Sequence, residues 1–267
     1  MQLKLYQVDA FANRLFAGNP AAVVPLEAWL DDAVLQAIAT ENNLSETAYT
    51  VAEVEGYRLR WFTPAAEVDL CGHATLGAAY VLFANGIAKG DRVRFETRSG
   101  KLNVVRKSDV LVMDFPAVPS RQVEAPAALI EGLGCRPTAL FAGTDYMAVL
   151  GSEDEVRALR PNFRALEALD LRGVIVTAPG RVIVTAPGRE ADFCSRFFAP
   201  KFGVAEDPVT GSAHCQLTPY WSQRLGKKEL RAHQVSARGG ELQCVDRDAR
   251  IEIAGRVVPY LDATITI

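Results

Sequence analysis

The chain has 267 residues, which against a typical domain of about 150 leaves room for one large domain or two modest ones. Hydrophobic residues make up 49% and charged residues 23%, an ordinary globular balance that excludes disorder, collagen-like structure and coiled coil. The net charge of −3 comes from Lys and Arg scattered among the acids, so no basic stripe exists to neutralise phosphates, and a nucleic-acid partner is excluded.

The start, MQLKLYQVDAF, alternates apolar and polar residues as a strand does, and is unlike a signal peptide. Strands are expected at 3–9, 21–25, 47–53, 57–63, 92–97, 101–106 and 109–114, from runs rich in Val, Leu and Phe. Helices are expected at 31–42, with Asp31 and Asp32 at its start, and at 73–85, closed by Asn85 and Gly86. The proline-bearing stretch 116–126 reads as a linker. Beyond it the pattern predicts helices at 125–133, 153–159, 163–168 and 211–225, and strand throughout 251–267. No run approaches the roughly 18 apolar residues of a membrane span. The five cysteines, Cys71, Cys135, Cys194, Cys215 and Cys244, show neither a disulfide framework nor a metal-binding CxxC pair. The expectation is a reduced, cytoplasmic protein with no membrane partner and no metal.

An internal repeat organises the chain. Arg60-Trp61-Phe62-Thr63-Pro64, Glu67, Cys71-Gly72-His73-Ala74, an apolar run through Tyr80, and Arg98-Ser99-Gly100-Lys101-Leu102 appear in the first half. The second half follows the same order with Arg196-Phe197-Phe198-Ala199-Pro200, Glu206, Thr210-Gly211-Ser212-Ala213, a run through Tyr220, and Arg238-Gly239-Gly240-Glu241-Leu242. The reading is two similar α/β halves, 1–117 and 118–267, related by a pseudo-two-fold. A second repeat is literal: VIVTAPGR at 174–181 recurs at 182–189. Its Pro-Gly suits a turn and its even length keeps strand faces in phase, which predicts a lengthened hairpin or a loop at the hairpin tip.

Each half also turns from a strand through glycine into an apolar helix, at Gly72 and at Gly211. Unpaired N–H groups and the helix dipole at such starts favour an anion, and two of them would cradle a carboxylate. His73 and His214 fall inside these corners, His73 the stronger candidate; His233 reads as structural. Glu46 stands where a polar loop enters an apolar strand, and desolvation there would raise its pKa toward that of a general acid/base. By local pattern alone the reading as a solvent-facing strand-start residue prevails. Gly18-Asn19-Pro20 resembles a turn that exposes a backbone or amide donor, although turn chemistry alone explains the sequence. Cys71, just before a helix start, is placed for a lowered thiol pKa, but its counterpart is Thr210, so the halves hold no symmetric thiol pair.

Together these motifs resemble the phenazine-biosynthesis F-like (PhzF-like) isomerase family, which shares the diaminopimelate epimerase fold. The resemblance rests on Asp9-Ala10-Phe11, Gly18-Asn19-Pro20-Ala21-Ala22-Val23, Leu44-Ser45-Glu46-Thr47-Ala48, Phe62-Thr63-Pro64, Glu67 to Thr75, Arg196 to Pro200 and Glu206 to Ala213, in order over nearly the whole chain. It implies an α+β fold of two similar domains, each a barrel-like, mostly antiparallel sheet around a central helix, with the active site in the cleft between them. It further implies Glu46 as the proton-shuttling acid/base, with His73, Asp207 and Ser212 assisting and Asn19, Cys71, Gly72, Thr210 and Gly211 around the substrate. No cofactor and a homodimer are implied as well. The 174–189 duplication departs from the family pattern, and Cys71 stands where epimerases of the fold use a catalytic cysteine. The expected function is a cofactor-independent isomerase of a small carboxylate that moves a proton and a double bond. The rivals are a cysteine-assisted amino-acid racemase or epimerase and a non-catalytic small-molecule-binding protein.

Overall fold

The structure, a computed structural model, describes residues 1–180 and 191–267. In chain order its elements begin with β1 (Gln2–Ala10), β2 (Asn19–Leu26), α1 (Asp32–Asn42), β3 (Glu46–Glu53), β4 (Gly56–Phe62), β5 (Glu67–Val68), α2 (Gly72–Ala84), β6 (Arg92–Thr97), β7 (Gly100–Lys107) and β8 (Val110–Pro116). There follow β9 (Arg121–Val123), α3 (Ala127–Leu133), β10 (Ala139–Ala142), β11 (Tyr146–Val149), α4 (Glu153–Ala158), α5 (Phe163–Glu167), β12 (Val174–Pro179) and β13 (Phe193–Ala199). The chain closes with β14 (Val204–Asp207), α6 (Gly211–Leu225), β15 (Glu229–Gln234), β16 (Gly240–Asp246), β17 (Arg250–Gly255) and β18 (Val257–Thr266).

The chain divides into two units: Met1–Asp114 with Ala254–Ile267, and Phe115–Ile253. In the first, β18 pairs with β1, and β1 with β2, both antiparallel. The sheet continues with β3 parallel to β2, β4 antiparallel to β3, β6 parallel to β4, then β7 and β8 in antiparallel succession. The second unit repeats this sequence of pairings: β9, β10 and β11 antiparallel, β12 parallel to β11, β13 antiparallel, β15 parallel to β13, β16 antiparallel. The short β5 and β14 return antiparallel on β4 and β13 in the same place. The internal repeat of the sequence is thus a repeat of topology, and the expected α+β architecture of two similar, mostly antiparallel domains is the one observed.

Each parallel pair needs a crossover, and helices supply it, α1 and α2 in the first unit, α4 with α5 and then α6 in the second. Ten of the thirteen residues of α2 are buried, which is what an apolar run without a polar face requires of a helix. It packs on β1, β2 and β3. Gly77 permits the approach, since a Cβ there would stand 2.8 Å from Val8 Cγ2. Leu5, Val24, Leu35, Ile38, Tyr49 and Phe62 form a cluster under α1. In the second unit Leu129, Leu140, Ala148, Val156, Val174, Val176 and Phe198 do the same under α3 to α5.

The linker 116–126 holds the short strand β9, and the C-terminal strand is broken at Arg256. The reason for the break is local. Phe11 packs so closely on Gly255 that a Cβ there would lie 2.3 Å from its Cδ1, and the Arg256 carbonyl accepts from the Ala12 N–H at 3.2 Å rather than continuing a ladder. The first copy of the octapeptide forms β12; the expected hairpin extension by the second copy falls on 181–190, outside the described residues.

Candidate active site

Parallel pairing of β2 and β3 sets Ala21 opposite Glu46, so Asn19 and Glu46 stand at neighbouring strand starts. Gly18 makes this entry possible: its φ is +70°, and a Cβ would come 2.2 Å from the Ala10 carbonyl oxygen. The start of α2 completes the group, with Cys71 as N-cap and no side chain capping the helix. The first N–H groups of α2 therefore face outward along the helix dipole without a side-chain acceptor.

His73 is the hub. Its Nε2 lies 3.0 Å from Glu46 Oε2, and its Nδ1 lies 3.2 Å from the Asn19 side-chain amide and 3.5 Å from Cys71 Sγ. Ser45 Oγ donates to Asn19 Oδ1 at 3.1 Å, fixing the amide. Asn19 is wholly buried and Cys71 nearly so. His73 Nε2 and Glu46 Oε2 are both buried and have no partner besides each other.

The electrostatics follow from this crowding. Burial raises the Glu46 carboxyl, but the His73 charge and hydrogen bonds from His73 and Cys71 outweigh it and hold the group below its ordinary value. Burial pulls the His73 imidazolium down, while the Cys71 sulfur and the Glu46 carboxylate push it well above 6.5, and the push wins. Both directions differ from a lone glutamate raised by desolvation, because an ion pair forms inside the same burial. Burial pushes the Cys71 thiol up to about 11, with the Glu46 charge adding to the rise. The helix start does not lower it as position alone suggests, because desolvation of a thiolate costs more than the dipole returns.

The second unit holds Asp207, Thr210, Gly211 and Ser212 together at the start of α6. Thr210 is the N-cap, but its hydroxyl donates to Asp207 Oδ2 at 2.5 Å instead of capping. Gln234 accepts from the Thr210 N–H at 2.8 Å and donates to the Asp207 carbonyl at 2.8 Å, tying the corner to β15. Ser212 Oγ accepts from Arg172 Nη2 at 3.1 Å. Arg172 in turn grips the Asp145 carboxylate through Nε at 2.9 Å and Nη2 at 2.5 Å, and Asp145 is only 1% exposed. His214 is a core residue: its Nδ1–H donates to the Thr210 carbonyl at 2.8 Å, and burial lowers its pKa to about 4. His233 is likewise pushed down by burial.

Sequence reasoning named Glu46, His73, Cys71 and Asn19, which the first unit brings together, and Asp207, Thr210, Gly211 and Ser212, which the second does. It missed Asp145, Arg172 and Gln234. Asp145 and Arg172 are 27 residues apart, and Arg172 and Ser212 are 40 apart, so no local spacing announces them. The nearest signal is an Arg just before a buried strand and an Asp in a turn.

Among the described residues no helix is long and apolar enough to cross a membrane. The family model "Phenazine biosynthesis-like protein" matches residues 8–263. An uncharacterized isomerase of Pseudomonas aeruginosa is 54% identical over 97% of this chain and 96% of its own. The crystal structure of a phenazine biosynthesis PhzF-family protein from Enterococcus faecalis superposes with a TM-score of 0.94 at 45% identity, over 100% of both chains. A hydroxyproline epimerase from Agrobacterium vitis shares the fold alone, with a TM-score of 0.60 at 11% identity over 99% of this chain and 92% of its own.

Proposed function

The chain belongs to the phenazine biosynthesis-like protein family and is an isomerase, and from that premise we propose that Glu46 is its acid/base group, moving a proton between two carbons of a small carboxylate. The observation that carries the proposal is the 3.0 Å approach of Glu46 Oε2 to His73 Nε2 in a buried setting where neither atom has another partner.

The Glu46 carboxylate removes a proton from a carbon made acidic by an adjacent carbonyl or double bond, and returns it to another carbon on the same face. One base suffices, and the double bond moves. His73, as imidazolium, keeps Glu46 ionised before transfer. The N–H groups at Gly72 and His73 hold the substrate carboxylate and stabilise charge that develops as the proton leaves. Within the second unit, Asp207, Thr210, Gly211 and Ser212 form the counterpart helix-start corner, and we assign them binding and relay roles. No metal or other cofactor enters these steps.

A second reading is favoured by the Cys71 Sγ to His73 Nδ1 contact of 3.5 Å. In it Cys71 serves as the second base of an epimerase, with His73 taking the thiol proton. Burial, which pushes that thiol up to about 11, weighs against it. Proton exchange in D₂O, followed by NMR with a panel of enolisable and diene carboxylates, separates the readings. Exchange or double-bond migration abolished in Glu46→Gln but kept in Cys71→Ser is the expected result. Loss in Cys71→Ser with inversion at carbon would favour the epimerase. Saturable binding without exchange of any compound would refute both.

A further inference from the structure

We propose that Glu46, Cys71 and His73 also form a binding site for one thiophilic divalent cation of the zinc class, and that its binding silences the site. The silencing rests on the reading of Glu46 as the base; the binding rests on the donor atoms alone.

The three residues each offer one ligand atom, and these atoms lie within 4.8 Å of one another. A tetrahedral zinc with bonds of about 2.0 Å to nitrogen and oxygen and about 2.3 Å to sulfur spans neighbouring donors roughly 3.3 to 3.7 Å apart. Glu46 Oε2 stands 3.0 Å from His73 Nε2, and Cys71 Sγ 3.5 Å from the other ring nitrogen, Nδ1; an ion takes one of the two nitrogens, and with a single nitrogen chosen the three donor atoms still lie within 4.8 Å of one another. Small side-chain rotations are enough to close the set on an ion.

Two of the donors are otherwise short of partners. His73 Nε2 and Glu46 Oε2 are buried and have only each other, at 3.0 Å, on side chains only 7% and 17% exposed. An ion between them satisfies both. The charge also balances, because a carboxylate, a thiolate and a neutral imidazole cancel a divalent cation, so the loaded site adds no net charge to a buried region.

The donor set selects the ion. Thiolate with imidazole favours zinc and its neighbours over magnesium or calcium, which prefer oxygen ligands and, for magnesium, retained waters. On binding, the Cys71 S–H bond breaks and a sulfur–metal bond forms; the protons on sulfur and on the ligating nitrogen go to solvent. Nothing is oxidised. With Glu46 on the metal, its carboxylate cannot take a proton from carbon.

The test uses the metal-free full-length protein, titrated with Zn²⁺ against a chromophoric chelator and separately with Co²⁺ under an absorption spectrometer. Wild type, Cys71→Ser, His73→Asn and Glu46→Gln are compared, with circular dichroism melts to establish folding. The expected result is one Zn²⁺ per chain in wild type, weakened at least about tenfold in Cys71→Ser and in His73→Asn, and unaffected by excess Mg²⁺. Co²⁺ should give a thiolate charge-transfer band in wild type that is absent in Cys71→Ser. Wild type that takes up no Zn²⁺, variants that bind as wild type does, or Co²⁺ without a thiolate band would each overturn the site. The wild-type cobalt spectrum is decisive even where a variant fails to fold. Zinc binding through these residues in a protein that exchanges no substrate proton would leave this site standing and remove the isomerase mechanism; Glu46-dependent exchange without zinc binding would do the reverse.

Discussion

His73 Nε2 stands 3.0 Å from Glu46 Oε2, and the pair sets the ionisation of the site against its own burial. The His73 charge is what holds the Glu46 carboxyl below its ordinary 4.5 although desolvation pushes the other way. Wild-type activity should therefore keep its base through the acid range, with the acid limb of the pH–rate profile below pH 4.5. In His73→Asn the desolvation loses its main opponent, and the limb should move up. Glu46→Gln should lower proton exchange about 10² to 10⁴-fold at every pH. An exchange profile measured for all three proteins checks this; an unmoved limb in His73→Asn would mean that the pair does not govern the base.

In the second unit, the Asp145 carboxylate is 1% exposed and has the Arg172 guanidinium as its charge partner at 2.5 Å and 2.9 Å. Arg172→Met should leave that carboxylate buried without its countercharge, at a cost of about 3 to 5 kcal/mol. Arg172→Lys should recover part of this, since a single ammonium cannot reproduce the forked contact or reach Ser212 as well. Urea unfolding of the three proteins measures the difference. Equal stabilities would show that Asp145 does not depend on Arg172.

His214 gives the protein an acid-sensitive core. Its folded pKa is about 4 against 6.5 in a free side chain, so between those values the unfolded chain binds a proton that the folded chain refuses. Stability contributed by the neutral ring is present above pH 6.5 and is lost as pH falls toward 4, by up to about 1.4 kcal/mol per unit. His233, also lowered, acts in the same direction. His73, raised above 6.5, acts on the other side, its contribution fading as pH rises past 6.5. His214→Asn keeps a donor for the Thr210 carbonyl and should flatten the slope of stability against pH between 6.5 and 4 in chemical denaturation. An unchanged slope would assign the acid sensitivity elsewhere.

The two units carry the same ion pair. Arg60 Nε and Nη2 meet Glu67 at 2.7 and 2.8 Å, and Arg196 meets Glu206 at 2.7 and 2.8 Å. Each guanidinium also lies over a phenylalanine, Phe62 at 5.1 Å and Phe198 at 4.9 Å from the ring centroid. Glu206→Ala should destabilise by about 3 kcal/mol, because Arg196 loses its bidentate partner inside a buried setting. Thermal melts should show a comparable loss for Glu67→Ala, which also frees Arg98 from its 2.7 Å contact. A change within about 0.5 kcal/mol, as surface pairs give, would show that these pairs only decorate the fold.

What the sequence determined is what local pattern can carry. Alternation placed β1 to β4 and β6 to β8 within a residue or two of their bounds and missed the two-residue β5, the apolar run from Gly72 placed a buried helix, and the two copies of Arg-aromatic-Phe, Glu and glycine corner announced the repeated topology. The same repeat marked Gly72 and Gly211 as helix starts, and the ordered motifs singled out Glu46 and His73. Tertiary structure decided the rest, because electrostatics depends on neighbours that are distant in the chain. Glu46 became a depressed carboxylate only when the parallel pairing of β2 and β3 and the start of α2 set His73 beside it. Cys71 kept its proton because that packing desolvated it. Arg172 acquired its place from a carboxylate 27 residues before it and a hydroxyl 40 residues after it, and no spacing along a strand or a helix encodes such a contact; folding creates it.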